Sequence, residues 1–533
     1  MKFKCINNII EANKEGIVYL IYNEWDDYSY CTTFTAYFKT KSELDLIELG
    51  IVKIGCISLS KRVNEGKSIH GYSSYSIEEL MPANMFFKLE EDFFSLGQDI
   101  DYYKNVNKYL CDKNIEYYEC IKDLAFDYDR FNKLYEKREV CLINSLMRNL
   151  YKPNVEQFNR IIKGEAELTE YTFSINYQNE KIDINVTPKS LPPTNIHVLI
   201  GRNGVGKSWL LHSIACSLLE SCAVDVNELE ESDKYSISEK FHIDCIKESF
   251  AGIIGMSFSV FDDSLAIDIT NKNEKSEREI ENFRKVYKYI GSIYKSQKDG
   301  KKKIKSVEDM ANEFIEALKK IANNKNKRDN YIETCNYLNN DSMFYDNGFI
   351  KMLDDFLLKR IEENEVIKYF KRLSSGHMII ILSLTLLAES IYEKTIVLID
   401  EPETHLHPPL LSTYIRALSF LLLKKNAVAI IATHSPIVLQ EVPSSCVNKI
   451  SRTGEDMQFD KISIESFATN TDSLIREVFG LEVIKTGFYQ LIKQELADSF
   501  DESLDKFEGQ VGFLGKVLMQ SLLSKKDDNH EED

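Results

Sequence analysis

The feature that most constrains this chain is the run Gly201-Arg202-Asn203-Gly204-Val205-Gly206-Lys207-Ser208, held between two apolar segments of different period. Ile196-His197-Val198-Leu199-Ile200 reads as a strand buried on both faces, and Trp209 to Leu219 has helical spacing. A strand that turns through glycines into a helix leaves backbone N–H groups curled round a small concave space. The helix N-terminus adds the positive end of its dipole, so that space suits phosphate oxygens. The run fits the GxxxxGK[ST] pattern in the context that pattern needs. It makes Asn203, Gly204, Val205, Gly206, Lys207 and Ser208 the candidate nucleotide-binding residues, with Lys207 reaching the β- and γ-phosphates of ATP and Ser208 holding Mg2+.

Three more elements follow in order. Thr395-Ile396-Val397-Leu398-Ile399-Asp400-Glu401-Pro402 is a buried strand ending in two acids. Asp400 is placed to bind Mg2+ through water, and Glu401 to orient or polarise an attacking water. Ahead of it, Leu373-Ser374-Ser375-Gly376-His377 opens the helix that leads to that strand. A small capping residue followed by glycine exposes a helix N-terminus able to meet an anion, which singles out Ser374, Ser375 and Gly376. Ala427 to Thr433 is a further buried strand, and it ends at His434, which resembles the ABC switch histidine; that resemblance implies contact with the γ-phosphate and makes His434, with Glu401, a catalytic candidate.

Charge and composition narrow the partners. The 533 residues carry a net charge of −18, so bulk basicity does not mark a non-specific nucleic-acid binder. No apolar run reaches the ~20 residues that a bilayer span needs, and no apolar signal core follows Met1-Lys2-Phe3-Lys4. Eleven scattered cysteines without a CxxC pair argue against a disulfide framework or zinc site, and a cytoplasmic setting is expected.

Periodicity divides the chain into six parts. Residues 1–60 read as an N-terminal β-lobe, expected to belong to the unit that carries the phosphate loop, and 61–167 as a mainly helical insertion. Residues 168–270 carry the phosphate loop, 271–370 read as a helical insertion or lid, and 371–465 carry the remaining three elements. The C-terminal region, 466–533, is helical; Val511, Leu514, Leu518 and Leu522 recur at helical spacing, widened by Phe513 and Val517, and suit either self-packing or partner docking.

The four elements together resemble the ABC/SMC ATPases, with serine replacing the first glycine of the LSGGQ signature and histidine its glutamine. The resemblance implies an α/β fold: an ABC-type P-loop ATPase head, with a largely parallel central sheet plus an antiparallel β-lobe, helical insertions and a helical C-terminus. It also implies a head-to-tail homodimer, in which Ser374, Ser375 and Gly376 complete the ATP site of the other copy. Asp400-Glu401-Pro402-Glu403-Thr404-His405-Leu406-His407-Pro408 looks like the RecF and OLD side of that class. His407 stands at the D-loop aspartate position, and no glutamine occurs in 257–263, where a Q-loop would fall.

Asn23-Glu24-Trp25-Asp26-Asp27-Tyr28, Phe93-Phe94-Ser95-Leu96-Gly97-Gln98-Asp99 and Arg476-Glu477-Val478-Phe479-Gly480-Leu481 look like segments of PtuA, the ATPase subunit of the Septu anti-phage system, which also occurs with some retrons. That resemblance implies a partner HNH nuclease, PtuB, under nucleotide-dependent control. In a retron setting it implies a reverse transcriptase and its DNA–RNA product as well. The alternative is a RecF/SMC-type repair ATPase that binds DNA directly; Lys295, Lys298, Lys301, Lys302, Lys303 and Lys305 are its best support. Whichever reading holds, Lys207→Ala removes a charge-assisted phosphate contact worth about 1.5–3 kcal/mol. ATP affinity measured by calorimetry should fall roughly ten-fold or more; an unchanged affinity rules Lys207 out as a phosphate ligand.

Overall fold

The structure is a computed structural model that describes residues 1–27, 29–39, 46–62, 68–69, 72–164, 168–177, 180–221, 241–244, 250–259, 263–267, 280, 283–284, 286–295, 302–322, 325–454, 456–479 and 487–528. Its centre is a sheet of seven strands among those residues, in the order Tyr287–Gly291, Gly252–Ser257, Thr395–Asp400, Val428–Thr433, Ile196–Ile200, Val447–Thr453, Asp456–Asp460. All neighbours pair in parallel except the last two.

Strand chemistry explains the layers. Side chains alternate across a strand, and Thr395–Asp400 is buried throughout, so it must feed two cores. Val397 and Ile399 join one cluster, which contains the helices Val307–Ala322, Phe349–Leu357, Ser375–Ser390 and Pro408–Leu423. Ile396 and Leu398 join the other, with the helix Lys207–Ser221 and an antiparallel lobe of Tyr171–Tyr177, Glu180–Val186 and Phe241–Asp244. The fold is the expected α/β head with a parallel sheet, an antiparallel lobe and helices on both faces.

Three boundaries differ from the sequence reading. Residues 1–60 do not supply the head's β-lobe. Their strands form a separate five-stranded sheet, Lys2–Ile6, Ile17–Asn23, Thr33–Lys39, Leu46–Cys56 and Phe93–Gly97, which shares its own core with helices through Ile162. The lobe lies instead at 171–244, beside the phosphate loop. The stretch 271–370 is not helical throughout either: Tyr287–Gly291 is an edge strand, Ile293–Lys295 pairs with Lys302–Ile304, and the helices from Val307 onward are built into the core rather than hinged over it. Local spacing could not reveal this, because sheet membership depends on partners far away in sequence.

Among the described side chains of the C-terminal helix Phe513–Asp528 the buried positions are Gly515 and Met519, and the helix packs on Phe488–Gln494 and Phe500–Lys506. Phe513, Leu514 and Val517 face solvent. The charged end of the chain, 529–533, and Gly480-Leu481 lie outside the described residues.

The N-terminal unit holds an acid at high cost. Asp123 is wholly buried and accepts N–H bonds from Ala125 (2.9 Å) and Phe126 (3.0 Å) and the Tyr103 hydroxyl (3.1 Å). Burial nevertheless dominates these donors and pushes its pKa up to about 7. An acid whose folded pKa exceeds its unfolded value, about 3.9, binds protons more tightly when folded. Its stabilising contribution is complete below that unfolded value and is lost as pH rises towards 7. Asp123→Asn keeps the acceptor oxygen facing both N–H groups and cannot ionise. In urea unfolding it should therefore gain on the order of 2 kcal/mol over the parent at pH 8 and little at pH 4; an equal difference at both pH values would contradict burial as the cause.

Candidate functional site

Parallel pairing brings the chemistry to one edge. Ile200 lies beside Thr433, and Asp400 beside Ala432, so the phosphate loop, Glu401 and His434 all leave the carboxyl ends of adjacent strands. The histidine-bearing strand lies between the other two.

The loop itself matches the phosphate-cradle geometry. Gly204 and Gly206 hold φ of 82° and 100°, a region that side chains with a Cβ rarely adopt. Arg202, Asn203 and Gly204 are exposed at the tip, Val205 is buried beneath them, and Ser208 is half-buried in the first turn of the helix. Lys207 is buried, and its ammonium donates to the carbonyls of Gly201 (3.1 Å) and Arg202 (3.0 Å). Burial lowers its pKa, while Glu401, Asp400 and Glu403 pull the other way. The lysine and the three carboxylates thus share one electrostatic field.

Beyond the acid strand the chain turns sharply. Glu401 takes a left-handed φ of 45°, and its N–H bonds to the Ala432 carbonyl (2.9 Å). A non-glycine residue held in this region costs on the order of 1 kcal/mol, the kind of strain that collects at functional sites. Its carboxylate stands 3.6 Å from His434 Nδ1. Asp400 is buried at the strand end. Ser208 and Asp400 offer the hydroxyl and carboxylate donors that suit a hard cation such as Mg2+.

Sequence reasoning left Glu403 without a role. One of its carboxylate oxygens accepts from the Thr433 hydroxyl (2.7 Å) and the His434 N–H (2.8 Å), and it lies 3.1 Å from His434 Nδ1. Glu403 therefore fixes the histidine that Glu401 approaches. The signal was present in the Asp400-Glu401-Pro402-Glu403 run, but only the neighbouring strand shows which atoms the second glutamate holds.

The signature lies at the start of the helix that runs back to the acid strand. Ser374 caps that helix, with Ser374 and Ser375 exposed and Gly376 and His377 buried. A Cβ on Gly376 would stand 2.7 Å from the His405 carbonyl, so only glycine fits there. His377 replaces the usual glutamine with a relay of its own. Its Nδ1 is 2.6 Å from the Ser374 hydroxyl and its Nε2 is 3.1 Å from Asp341. Asp341 belongs to the helical insertion, which sequence reading could not connect to this motif. His407, at the D-loop aspartate position, caps the helix Pro408–Leu423 by accepting the Leu410 N–H (3.4 Å). Residues 260–262 of the Q-loop region lie outside the described residues.

A family described as the AAA ATPase domain matches residues 263–439, the span that holds the acid strand, the signature and His434. Residues 263–439 therefore resemble an AAA-type ATPase domain, which supports ATPase activity in general. The chain is 32% identical to protein ea59 of Escherichia phage lambda over 548 residues, covering 97% of this chain and 96% of that one, and it belongs to that protein's family. Among solved structures, an inward-facing metal-chelate type ABC transporter aligns with 58% of this chain and 89% of its own at 14% identity, with a TM-score of 0.28, too slight a likeness to carry an argument. Among the described residues, no helix is long and apolar enough to cross a membrane.

Glu403→Ala should release His434 from its backbone and ring contacts. Loss of a charge-assisted hydrogen bond, about 1.5–3 kcal/mol, predicts a fall in ATP turnover of roughly ten-fold or more with ATP affinity retained. A wild-type kcat would show that His434 holds its place without Glu403.

Proposed function

We propose that this protein is a Mg2+-dependent ATPase whose nucleotide site closes against a second copy of itself, and that closure controls a partner HNH nuclease of the PtuB type in antiviral defence. The observation that carries the ATPase half is the convergence of Lys207, Asp400, Glu401 and His434 on one carboxyl edge. Lys207 and the loop N–H groups bind the β- and γ-phosphates, and Ser208 and Asp400 hold Mg2+ there. Bound Mg2+ supplies charge neutralisation on the phosphates. Glu401 orients the attacking water, and His434, steadied by Glu403, faces the γ-phosphate.

Head-to-tail pairing is supported by the exposure of Ser374 and Ser375 at a capped helix start. Nuclease control rests on the PtuA resemblance, and a retron reverse transcriptase with its DNA–RNA product is a further partner under that reading. The relative encoded by phage lambda fits defence directed against competing phages. The cytoplasm is the setting this reading needs. Direct DNA binding has less support: of its lysine cluster, Lys298 and Lys301 lie outside the described residues, and Lys305 pairs with Glu313 at 2.7 Å.

Glu401→Gln keeps the side chain's shape and removes the charge that activates water. With saturating ATP it should slow hydrolysis and accumulate a dimer in light scattering, whereas Ser374→Arg should remain monomeric. Equal masses for the two variants would sink pairing in trans. Co-expressed with the HNH nuclease gene nearest its own, the ATPase should bring the nuclease through purification; DNA binding by the ATPase alone, with no nuclease retained, would favour the repair reading instead.

A further inference from the structure

A second polar cavity lies at the opposite edge of the central sheet. Its volume is about 170 Å3, and its walls include Arg284, Lys288, Lys320, Glu389, Tyr151 and Tyr392. Gly252 and Thr395, the first residues of two adjacent parallel strands, floor it. The acid strand runs from Thr395 here to Asp400 at the ATP edge, on the order of 17 Å away. The cavity also forms part of the seam between the two units of the chain. Tyr151 of the N-terminal unit meets Tyr392 edge to face at 5.1 Å, and Arg160 pairs with Glu393 at 2.6 Å beside them.

Charge here runs against the chain's average. Three cations line the cavity and Glu389 is the one carboxylate among the lining residues, in a protein of net charge −18. Glu389 is shared: Lys288 stands 2.7 Å from it and Lys320 3.4 Å, while Lys327 donates to its carbonyl at 2.7 Å. Burial would raise the Glu389 pKa, but Lys288 and Lys320 outweigh it and hold the group down to about 2. Burial lowers the pKa of Lys288, and Glu389 only partly opposes this. One carboxylate therefore answers two ammonium groups, Lys288 and Lys320, and leaves net positive charge along the cavity. Arg284 lines the same space.

We propose that this cavity is an anion site distinct from the ATP site, and that it takes an inorganic phosphate or diphosphate. Size sets the class. Pockets for drug-sized ligands begin at about 300 Å3, so this one excludes a whole nucleotide and admits one or two phosphoryl groups. Chemistry sets the sign, because a guanidinium fork and two ammonium groups match phosphate oxygens. The Ser390 hydroxyl donates to Glu389 at 2.7 Å and accepts from Lys288, which holds both groups in the wall. The placement is also specific: Glu389 and Ser390 end the helix whose first residues are the signature, so an anion that competes for Lys288 and Lys320 acts on that helix directly.

Calorimetry with pyrophosphate tests this in the full-length Lys207→Ala protein, where the phosphate loop no longer dominates. Binding should persist in Lys207→Ala and weaken at least ten-fold when Arg284→Ala and Lys320→Gln are added. Both are exposed side chains, and an unchanged thermal unfolding midpoint would certify that fold is not the cause. The idea is overturned if Lys207→Ala alone abolishes pyrophosphate binding, which would leave the lysines as caps for the helix end. It is equally overturned if the combined variant binds as tightly as Lys207→Ala.

Discussion

The parallel register of three strands, Ile196–Ile200, Val428–Thr433 and Thr395–Asp400, is the constraint on which the rest of the structure depends. It sets Ile200 beside Thr433 and Asp400 beside Ala432, so three separate loops open on one crevice. The same register sorts side chains between two cores. A slip of one residue would send Leu398 to the face that Val397 and Ile399 now fill, and would carry Asp400 away from Glu401's neighbours. Site geometry and core packing are consequently a single specification, and the catalytic edge cannot loosen without exposing apolar surface.

Electrostatics then decides how the edge is used. Asp400, Glu401 and Glu403 gather round one buried lysine, a balance that changes as soon as a polyanionic nucleotide arrives. Additional cationic charge is needed there, and the donors Ser208 and Asp400 suit a hard divalent ion. Glu401's left-handed backbone and Glu403's grip on His434 are two costs accepted in the same loop, one in strain and one in a half-buried carboxylate. Both serve to aim groups at the space above the phosphate loop.

The signature helix links the two edges of the sheet. Its start presents Ser374, steadied by His377 and Asp341, and its end supplies Glu389 to the basic cavity. Between them Ile380 to Ala388 is buried, so both ends are tied to one rigid body packed against the helix Val307–Ala322. The departures from LSGGQ are intelligible in this setting. Histidine can bridge a capping serine to an acid on another helix, and that relay ties the motif to the insertion that surrounds it.

By itself the sequence determined the four motifs, their order, and the strands and helices that carry them, because each is a local pattern of burial period, capping and glycine placement. Residues in three segments that the sequence singled out make structural contacts. Asp27 is a buried acceptor for Lys53 and Arg148, Asp99 caps the helix Ile100–Leu110, and Glu477 accepts from Ser463. Tertiary structure alone decided that residues 1–60 build a separate sheet, that Tyr287–Gly291 joins the central one, and that Glu403 and Asp341 belong to the site. It also decided that Gly515 and Met519 are the buried positions among the described side chains of the last helix, while Leu514 is exposed and Val511, Leu518 and Leu522 are half-buried. The physical reason is common to all four. A spacing says which residues share a face, but which face is buried, and which charge is answered, depends on surfaces brought together from distant parts of the chain.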